Sequence, residues 1–254
     1  MDASLEFVGT ATTLLRLGST TLLTDPNFLH RGQRAYLGKG LFSRRLTEPS
    51  LQPKDLPPLD GVLLSHLHGD HFDRIARERL SRDLPVLTTP AASRKLGSWG
   101  FGGAHGMSTW ETARLGDVGV TAVPGRHARG PLQRAFPPVM GTVLEGAGLR
   151  VYVTGDTLYY PWLREVSERC GPIDAMVIHL GGTRALGVLV TMDGDQGADL
   201  VETIAPALTV PIHHDDYTVF RSPLSHFLEA CRGRDLPTTV RPVARGETVS
   251  LRVT

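Results

Sequence analysis

The sequence predicts an α/β protein in which two β-sheets pack face to face and helices cover the outer side of each sheet. The first observation behind this prediction is a rhythm shared by both halves of the chain, in which strand-rich segments alternate with helices. The second is that histidine and aspartate residues recur directly after apolar strands, where side chains gather into sites in α/β proteins. Because the 254 residues contain no repeat and no low-complexity linker, we expect residues 1–254 to form a single domain.

Short apolar segments separated by glycine and proline define the elements of the first half. Strands are predicted at residues 5–8, 12–17, 20–24, 62–64 and 85–88, and helices at residues 75–80 and 90–96. The glycine-rich residues 97–106 are predicted to form a turn, and His105 within them is not expected to bind metal.

The elements of the second half are identified in the same way, from apolar segments separated by glycine and proline. Strands are predicted at residues 110–115, 118–123, 139–144, 149–153, 175–178, 207–212, 240–243 and 248–253, and helices at residues 160–169, 195–205 and 222–232. Ser222 is a suitable N-cap for the last helix, with Pro223 in its first turn.

Residues 27–60 show little periodicity and many glycine and proline residues. A connection of this length is usually a functional loop or a flexible segment, so we expect a lid or cap over the site. Its basic residues could meet an anionic substrate or be solvated, and both interpretations stay open: Arg31, Arg34, Lys39, Arg44 and Arg45. Its large apolar residues are expected to pack inward rather than to meet a lipid: Phe28, Leu29, Tyr36, Leu37, Leu41 and Phe42.

The segment Ser65–His71 places four potential metal ligands within six residues, directly after an apolar strand. Side chains at i and i+2 of an extended chain point the same way, so His66 and His68 can converge on one cation. Asp70 and His71 would then point in from the turn that follows, where Gly69 is expected to supply backbone freedom. Imidazole and carboxylate groups suit zinc and similar metals, so this segment predicts a metal site.

Further ligand types close other predicted strands, namely His127, Asp156 and either His213 or His214. A site for two metal ions needs about seven or eight protein donors, including a bridging carboxylate, and this count agrees. Asp25 also follows a strand, but Asp25-Pro26 is equally suited to a simple turn, so its role stays open. If Asp25 belongs to the site, it is a candidate hydrogen-bond partner for a metal-bound histidine.

Composition and charge argue against a nucleic-acid-binding, a membrane-spanning or a secreted protein. The formal net charge of +1 argues against nucleic acid as a partner, and no segment is apolar enough to span a bilayer. Cys170 and Cys231 suit a reduced compartment, and the N-terminus lacks the pattern of a signal peptide. We therefore expect a cytoplasmic protein that acts on a small molecule, without nucleic acid or stable membrane association. The oligomeric state stays open.

The motif and its separated partners resemble the metallo-β-lactamase-fold hydrolases, whose signature is HxHxDH followed by separated His, Asp and His residues. The resemblance implies a four-layer αββα sandwich of two mixed β-sheets. It also implies a ligand set, in which the first metal is bound by His66, His68 and His127, the second by Asp70, His71 and His213, and both by Asp156 as a bridge.

Four segments narrow the resemblance further: residues 25–26, 56–60, 155–157 and 211–213. They resemble the branch that holds the ascorbate-6-phosphate lactonase-like proteins and the N-acylphosphatidylethanolamine-hydrolysing phospholipase D. The branch has Pro-x-His at the last ligand, which selects His213. In an extended segment His214 would point the opposite way.

The activity implied is metal-dependent hydrolysis, in which two metal ions, zinc first and manganese, iron or nickel as alternatives, activate a hydroxide. Asp70 is expected to orient the water or accept its proton while bound to metal. The branch favours a phosphodiester or a phosphorylated lactone as substrate, and Arg126, Arg129 and Arg134 agree with an anion. The alternatives are hydrolysis of an uncharged lactone or amide and a non-catalytic metal-binding module.

Overall fold

The computed structural model describes residues 2–185 and 187–253. In the first half the strands are β1 (Ala3–Gly9), β2 (Thr12–Leu17), β3 (Thr20–Thr24), β4 (Arg34–Tyr36), β5 (Phe42–Arg44), β6 (Gly61–Leu63), β7 (Val86–Thr88), β8 (Ala104–Gly106), β9 (Thr112–Leu115) and β10 (Val118–Gly125). In the second half they are β11 (Val139–Gly146), β12 (Leu149–Val153), β13 (Ala175–His179), β14 (Arg184–Ala185), β15 (Val188–Leu189), β16 (Leu208–Ile212), β17 (Thr239–Val240) and β18 (Thr248–Ser250). The α-helices are α1 (Arg74–Arg79), α2 (Pro90–Ser98), α3 (Glu165–Cys170), α4 (Gly194–Ile204) and α5 (Leu224–Gly233).

These strands form two mixed sheets. The order in the first sheet is β18-β1-β2-β3-β6-β7-β8, and in the second it is β17-β16-β13-β12-β11-β10-β9. Each sheet is antiparallel around its opening strands. Each is parallel further along, between β3, β6 and β7 in the first sheet and between β12, β13 and β16 in the second. The sheets therefore have the same construction, as the rhythm of the sequence predicts.

Three apolar clusters define the layers. One lies between the sheets and joins residues of both, such as Leu15 and Leu63 from the first and Val151 and Val210 from the second. The outer face of the first sheet packs against α1 and α2, and the outer face of the second sheet packs against α3, α4 and α5. The predicted arrangement of two sheets with helices outside each is confirmed.

The predicted elements differ from the observed ones mainly where elements are short. The segment 27–60 contains the hairpin β4–β5, and a second hairpin, β14–β15, precedes α4. The predicted turn at 97–106 ends in a short parallel strand, β8. Three-residue strands carry too little alternation to be seen in a sequence. The predicted helix 160–169 is divided into a 3₁₀ segment, Pro161–Arg164, and α3.

Two local predictions need correction. The N-cap of α5 is Pro223 rather than Ser222, whose hydroxyl oxygen instead accepts from the backbone N–H of Gly194 at 3.0 Å. The apolar residues of the 27–60 segment divide into two groups. Phe28 and Leu29 are buried, and Leu37 is half-buried against the Leu29 cluster, as predicted. Tyr36, Leu41 and Phe42 are 51%, 56% and 59% exposed, so the prediction of inward packing is wrong for these three.

Among residues 2–185 and 187–253, none of the helices combines the length and the apolar character needed to cross a bilayer.

Candidate metal centre

The candidate site lies where strands of both sheets end. Asp25 follows β3 and the motif follows β6, two parallel strands of the first sheet. Asp156 follows β12 and His213 follows β16, which are both parallel to β13 in the second sheet. His127 follows β10, which is antiparallel to β11 and hence parallel to β12. The topology thus brings residues almost 190 positions apart in the sequence to one place.

Three histidines form the first group of potential ligands, His66, His68 and His127. The Nε2 atom of His66 lies 2.9 Å from Nδ1 of His68 and 3.0 Å from Nε2 of His127. As predicted, the i and i+2 histidines converge, and β10 brings the third. Three imidazole nitrogens that face one another at this distance are suited to a shared cation.

A second group combines carboxylate and imidazole, with Asp70, His71 and His213. The Nε2 atom of His213 lies 3.5 Å from an Asp70 oxygen. Asp156 lies between the two groups, because one of its oxygens is 3.2 Å from Nε2 of His71 and because it also clusters with His66. A carboxylate in this position can contact ions in both groups.

The far sides of the imidazole rings have fixed partners. Nδ1 of His66 lies 3.0 Å from the Ser65 hydroxyl, and Nδ1 of His71 lies 3.0 Å from an Asp25 carboxylate oxygen. Two further contacts run from Nδ1 of His127 to the Val190 carbonyl at 3.1 Å and from Nδ1 of His213 to the Leu180 carbonyl at 3.2 Å. A carbonyl can only accept, so these two rings carry a proton on Nδ1, and Nε2 is the nitrogen that faces the ligand groups.

The electrostatics separate the two groups. Burial lowers the pKa of His66 and His127, and it lowers the pKa of His68 to about 3, so these rings are neutral. Burial also acts on His71 and His213, but Asp156 and the neighbouring carboxylates outweigh it and raise the pKa of both rings. In return, the same histidines hold the pKa of Asp156 well below its usual value in spite of burial.

The buried polar atoms of the site fit divalent cations. Nε2 of His71, Nε2 of His213, Oδ1 of Asp70 and Oδ1 of Asp156 are all buried without a hydrogen-bond partner within the described residues. Such atoms are costly unless something binds them. Neutral imidazole nitrogens and ionised carboxylates, in a site without cysteine, match the ligands of zinc and of manganese, iron or nickel.

The structure brings all seven predicted ligands together, and it leaves His105 and His214 outside the ligand clusters. His105 is exposed and pairs with Glu111 at 2.7 Å. His214 does not join any of the ligand clusters, and its Nδ1 lies 3.7 Å from Asp215.

Sequence reasoning did not place His179 or Ser65 among the hydrogen-bond partners of the site. His179 is fully buried, with Nδ1 at 3.2 Å from the Thr154 hydroxyl and Nε2 at 3.6 Å from Asp25. It ends the apolar strand β13, which is the same signal that identified His127 and His213. Ser65 connects His66 to Asp25, because its hydroxyl donates to the Asp25 carboxylate at 2.9 Å.

Asp25 is thus part of the site. Its carboxylate also accepts from the Ser65 backbone N–H at 2.7 Å. Burial alone would raise the pKa of Asp25. The nearby His71 and His179 have a larger opposite effect and bring the pKa down to about 2. Asp25, His71 and His179 could themselves hold a cation. The 3.0 Å contact to Nδ1 of His71 instead favours a hydrogen bond, because it leaves Nε2 of that ring for the other group.

The hairpin β4–β5 meets the motif at Gly69. The Gly69 N–H donates to the Tyr36 carbonyl at 2.8 Å, and a Cβ on Gly69 would lie 2.7 Å from the Tyr36 nitrogen. The expected reason for this glycine was backbone freedom, but its φ angle is not positive, and the reason is this close approach. Asp73 fixes the start of the segment by accepting from the N–H groups of Phe28 and Leu29 at 2.5 and 2.6 Å.

Comparison with known proteins agrees with this geometry. The family model described as "Beta-lactamase superfamily domain" matches residues 20–214, which include all seven predicted ligands. A relative from Archaeoglobus fulgidus, named "UPF0173 metal-dependent hydrolase", is 26% identical over 194 residues, covering 74% of this chain and 80% of its own.

Solved structures show the same fold. A possible metal-dependent hydrolase from Veillonella parvula superposes with a TM-score of 0.86 at 21% identity, covering 98% of this chain and 99% of its own. An isothiocyanate hydrolase from Delia radicum gut bacteria superposes with a TM-score of 0.84 at 19% identity, covering 97% and 98%. The predicted metallo-β-lactamase-fold enzyme is confirmed at the level of the superfamily, and the chain belongs to the β-lactamase superfamily of metal-dependent hydrolases.

Proposed function

We propose that this protein hydrolyses a phosphodiester or a phosphorylated lactone with two divalent metal ions, zinc in the first instance. The ligands proposed for the first ion are His66, His68 and His127, those for the second are Asp70, His71 and His213, and Asp156 bridges. The observation that carries the proposal is the meeting of the two ligand groups at Asp156, which clusters with both His66 and His71. A bridging carboxylate between two ligand groups is typical of two-metal hydrolases.

When bound, such a metal pair supplies a water molecule that is acidic near neutral pH and positive charge to stabilise a developing oxyanion. The chain's own residues position these parts. Asp70 has one oxygen near His213 and a second, Oδ1, without a partner. We assign to Oδ1 the task of orienting the attacking water and accepting its proton. Asp25 and Ser65 hold the imidazole rings in the tautomer that leaves Nε2 unprotonated.

The anionic nature of the substrate is supported by arginines beside His127. Arg126 lies over the rings of Tyr160 and Trp162, and Arg129 also lies over Tyr160. Their guanidinium groups are thereby held at the side of the site where β10 ends. Arginine suits the geometry of phosphate groups, and these residues agree with the phosphodiester branch that the sequence resembles.

We also propose that the hairpin β4–β5 is the cap within the 27–60 segment. The segment is fixed on both sides of the hairpin. Before the hairpin, Asp73 accepts from the Leu29 N–H, and after it, the guanidinium of Arg45 donates to the Asn27 carbonyl at 3.1 Å. Between these anchors the tip approaches the ligands, since a Cβ on Gly38 would lie 3.9 Å from Nε2 of His68. A cap in this place would exclude water during the reaction.

The test is hydrolysis of bis(4-nitrophenyl) phosphate by protein loaded with zinc or with manganese. We expect turnover that falls at least about 100-fold in Asp156→Ala and in His66→Ala, with fewer metal ions bound per chain. The matched control is His105→Ala, since this exposed histidine lies outside the ligand groups, and it should keep both activity and metal content. Full metal content in a folded Asp156→Ala or His66→Ala variant would refute the site assignment.

The same experiment separates the alternatives. Two metal ions per chain with no turnover of the phosphodiester would favour an uncharged lactone or amide, which is then tested with chromogenic lactones and anilides. Two metal ions with no turnover of any of these substrates would favour a non-catalytic metal-binding module. Metal analysis of protein purified without added metal identifies the preferred ion.

A further inference from the structure

Asn27 is the only asparagine of the chain, and it is fully buried between two loops that carry proposed metal ligands. Its Nδ2 donates to the Gly69 carbonyl at 2.8 Å, and Gly69 directly precedes Asp70. Its Oδ1 accepts from the Tyr217 hydroxyl at 3.0 Å, and Tyr217 follows His213 by four residues. One amide group thus connects the backbone beside Asp70 to the loop that begins at His213.

The position of this amide is itself fixed. The backbone N–H of Asn27 donates to the Thr12 hydroxyl at 2.9 Å, and that hydroxyl donates to the Asp25 carbonyl at 2.7 Å. The Arg45 guanidinium donates to the Asn27 carbonyl at 3.1 Å and also to Oδ1. Because Oδ1 accepts from two donors while Nδ2 faces a carbonyl, one orientation of the amide satisfies every partner. A carboxylate of the same shape could only accept.

The other end of the His213 loop is fixed by Asp216. Its carboxylate accepts from the Thr10 N–H at 2.8 Å and from Nε of Arg245 at 2.9 Å, and the buried Arg45 guanidinium lies 3.8 Å away. The Thr10 carbonyl in turn accepts from the His213 N–H at 2.9 Å. Residues 213–217 are therefore held against the β1–β2 turn on one side and against Asn27 on the other.

His213 needs such support because its backbone is strained. Its φ angle is 62°, in the left-handed region that side chains other than glycine rarely adopt. A conformation of this kind persists only where the surrounding structure fixes it. Nε2 of His213 lies 3.5 Å from Asp70, so the two loops joined by Asn27 carry ligands of the same group.

The three-histidine group is not connected in this way. Across residues 2–185 and 187–253, none of the hydrogen bonds of Asn27 goes to His66, His68 or His127. Nδ1 of His66 and Nδ1 of His127 have their own partners, the Ser65 hydroxyl and the Val190 carbonyl. A change at Asn27 should therefore affect the two groups of ligands unequally.

We propose that Asn27 is a positioning residue for the second metal ion, because its amide holds Gly69 and Tyr217 and so fixes the separation of Asp70 and His213. The inference deepens the proposed function and rests on its two-metal site. Asn27 acts through the two loops and binds neither metal nor substrate. Its loss should weaken the second ion and leave the first in place.

The test is Asn27→Asp, with both zinc dissociation constants measured by competition with a chromogenic chelator. The new carboxylate can still accept from Tyr217 and Arg45, but it repels the Gly69 carbonyl. We expect the second ion to bind about 10- to 100-fold more weakly and the first to change by less than about twofold. An added negative charge that acted through space alone would strengthen zinc binding, so the expected change has the opposite sign.

Tyr217→Phe tests the other side of the amide. It removes only the hydroxyl and leaves Arg45 as a donor to Oδ1, so the second ion should bind about 3- to 10-fold more weakly. The matched control is Gln196→Glu on α4, whose side-chain oxygen accepts from the Tyr159 N–H at 3.0 Å. It should change neither constant by more than about twofold. Unchanged binding of the second ion in both variants, or equal weakening of both ions, would overturn the proposal.

A measurement on the unaltered protein does not depend on the folding of any variant. Because the chain contains one asparagine, isotopic labelling of asparagine alone gives a single pair of side-chain amide resonances. We expect this pair to shift with the second equivalent of zinc, when Asp70 and the adjoining Gly69 carbonyl become fixed by the ion. A pair that shifts with the first equivalent only, or with neither, would contradict the role given to Asn27.

Failure of the reaction can be told from failure of this inference. Two ions per chain without phosphodiester turnover, with the second weakened in Asn27→Asp, would reject the proposed reaction and keep the positioning role. Turnover of bis(4-nitrophenyl) phosphate by protein whose second ion binds equally well in Asn27→Asp would keep the reaction and reject the positioning role.

Discussion

The carboxylate of Asp25 lies 3.0 Å from Nδ1 of His71, and the opposite nitrogen of the same ring lies 3.2 Å from Asp156. One imidazole thus connects the end of β3 to the carboxylate that stands between the ligand groups. The acceptor on the Nδ1 side decides which nitrogen carries the proton and in which direction the ring points.

We expect Asp25→Asn to weaken metal binding by about 10- to 100-fold while the fold is kept. The amide oxygen can still accept from the Ser65 backbone, but the negative charge that fixes the proton on His71 is lost. The measurement is competition for zinc with a chromogenic chelator. Asp83→Asn, at an exposed position remote from the ligand groups, serves as the control, and equal zinc affinity in the two variants would contradict the role given to Asp25.

Removal of metal should lower the melting temperature. The site contains buried Nε2 and carboxylate oxygen atoms without other partners, so metal ions bind the folded chain far better than the unfolded one. At a free concentration about 100 times the dissociation constant, one ion contributes about 2.7 kcal/mol, or roughly 5–11 °C for a protein of this size. The change in melting temperature is measured by calorimetry before dialysis against EDTA, after it, and again after zinc is added back. An identical melting temperature in both states would argue against tight binding.

Metal binding should depend on pH differently in the two ligand groups. With metal removed, Asp156 and its neighbours raise the pKa of His71 and His213, so these rings hold protons that a metal ion must displace. His66, His68 and His127 are neutral because burial lowers their pKa.

Lowering the pH from 8 to 6 should therefore weaken metal binding more steeply at the group of Asp70, His71 and His213 than at the three-histidine group. The affinity should fall by up to about tenfold per pH unit for each proton displaced. Zinc titrations at three pH values, with stoichiometry read at each, would show one strongly bound ion remaining at the lowest pH. A parallel loss of both ions would contradict the difference between the groups.

Gly69→Ala should destabilise the protein by roughly 1–3 kcal/mol, because the added Cβ would meet the backbone of Tyr36 and push the hairpin away from the motif. Urea denaturation measures the loss. The control is Gly102→Ala, where nothing lies within 4 Å of the added atom and φ is not positive. If both variants lose the same stability, the contact between the hairpin and the motif is not tightly packed.

Much of the site could be predicted because it depends on local signals. The spacing of His66, His68, Asp70 and His71 is readable within one segment, and His127, Asp156 and His213 each follow an apolar strand. Main-chain acceptors such as the Val190 and Leu180 carbonyls could not be predicted, since any residue offers a carbonyl and only tertiary structure selects one.

The fold likewise has elements that the sequence predicts and elements that it does not. Long apolar strands and amphipathic α4 are recognisable by their period, whereas the hairpins β4–β5 and β14–β15 contain strands of two or three residues. The outward side chains of β4 and β5 contradict the usual expectation that aromatic residues pack inward. Their position depends on which face of the hairpin meets the body, and Ala35 and Ser43 decide this through tertiary contacts.

The pairing of β1 with β18 has a consequence for synthesis on the ribosome. Ser4 pairs with Ser250, so one edge of β1 in the first sheet stays unpaired until β18 has emerged. His213 likewise joins the motif only after β16 has been made, about 150 residues later than His66. Contacts of such long range slow folding and leave an unpaired strand edge in the nascent chain. The full set of ligands should therefore be able to hold metal only after β16 has been made and His213 has joined the motif.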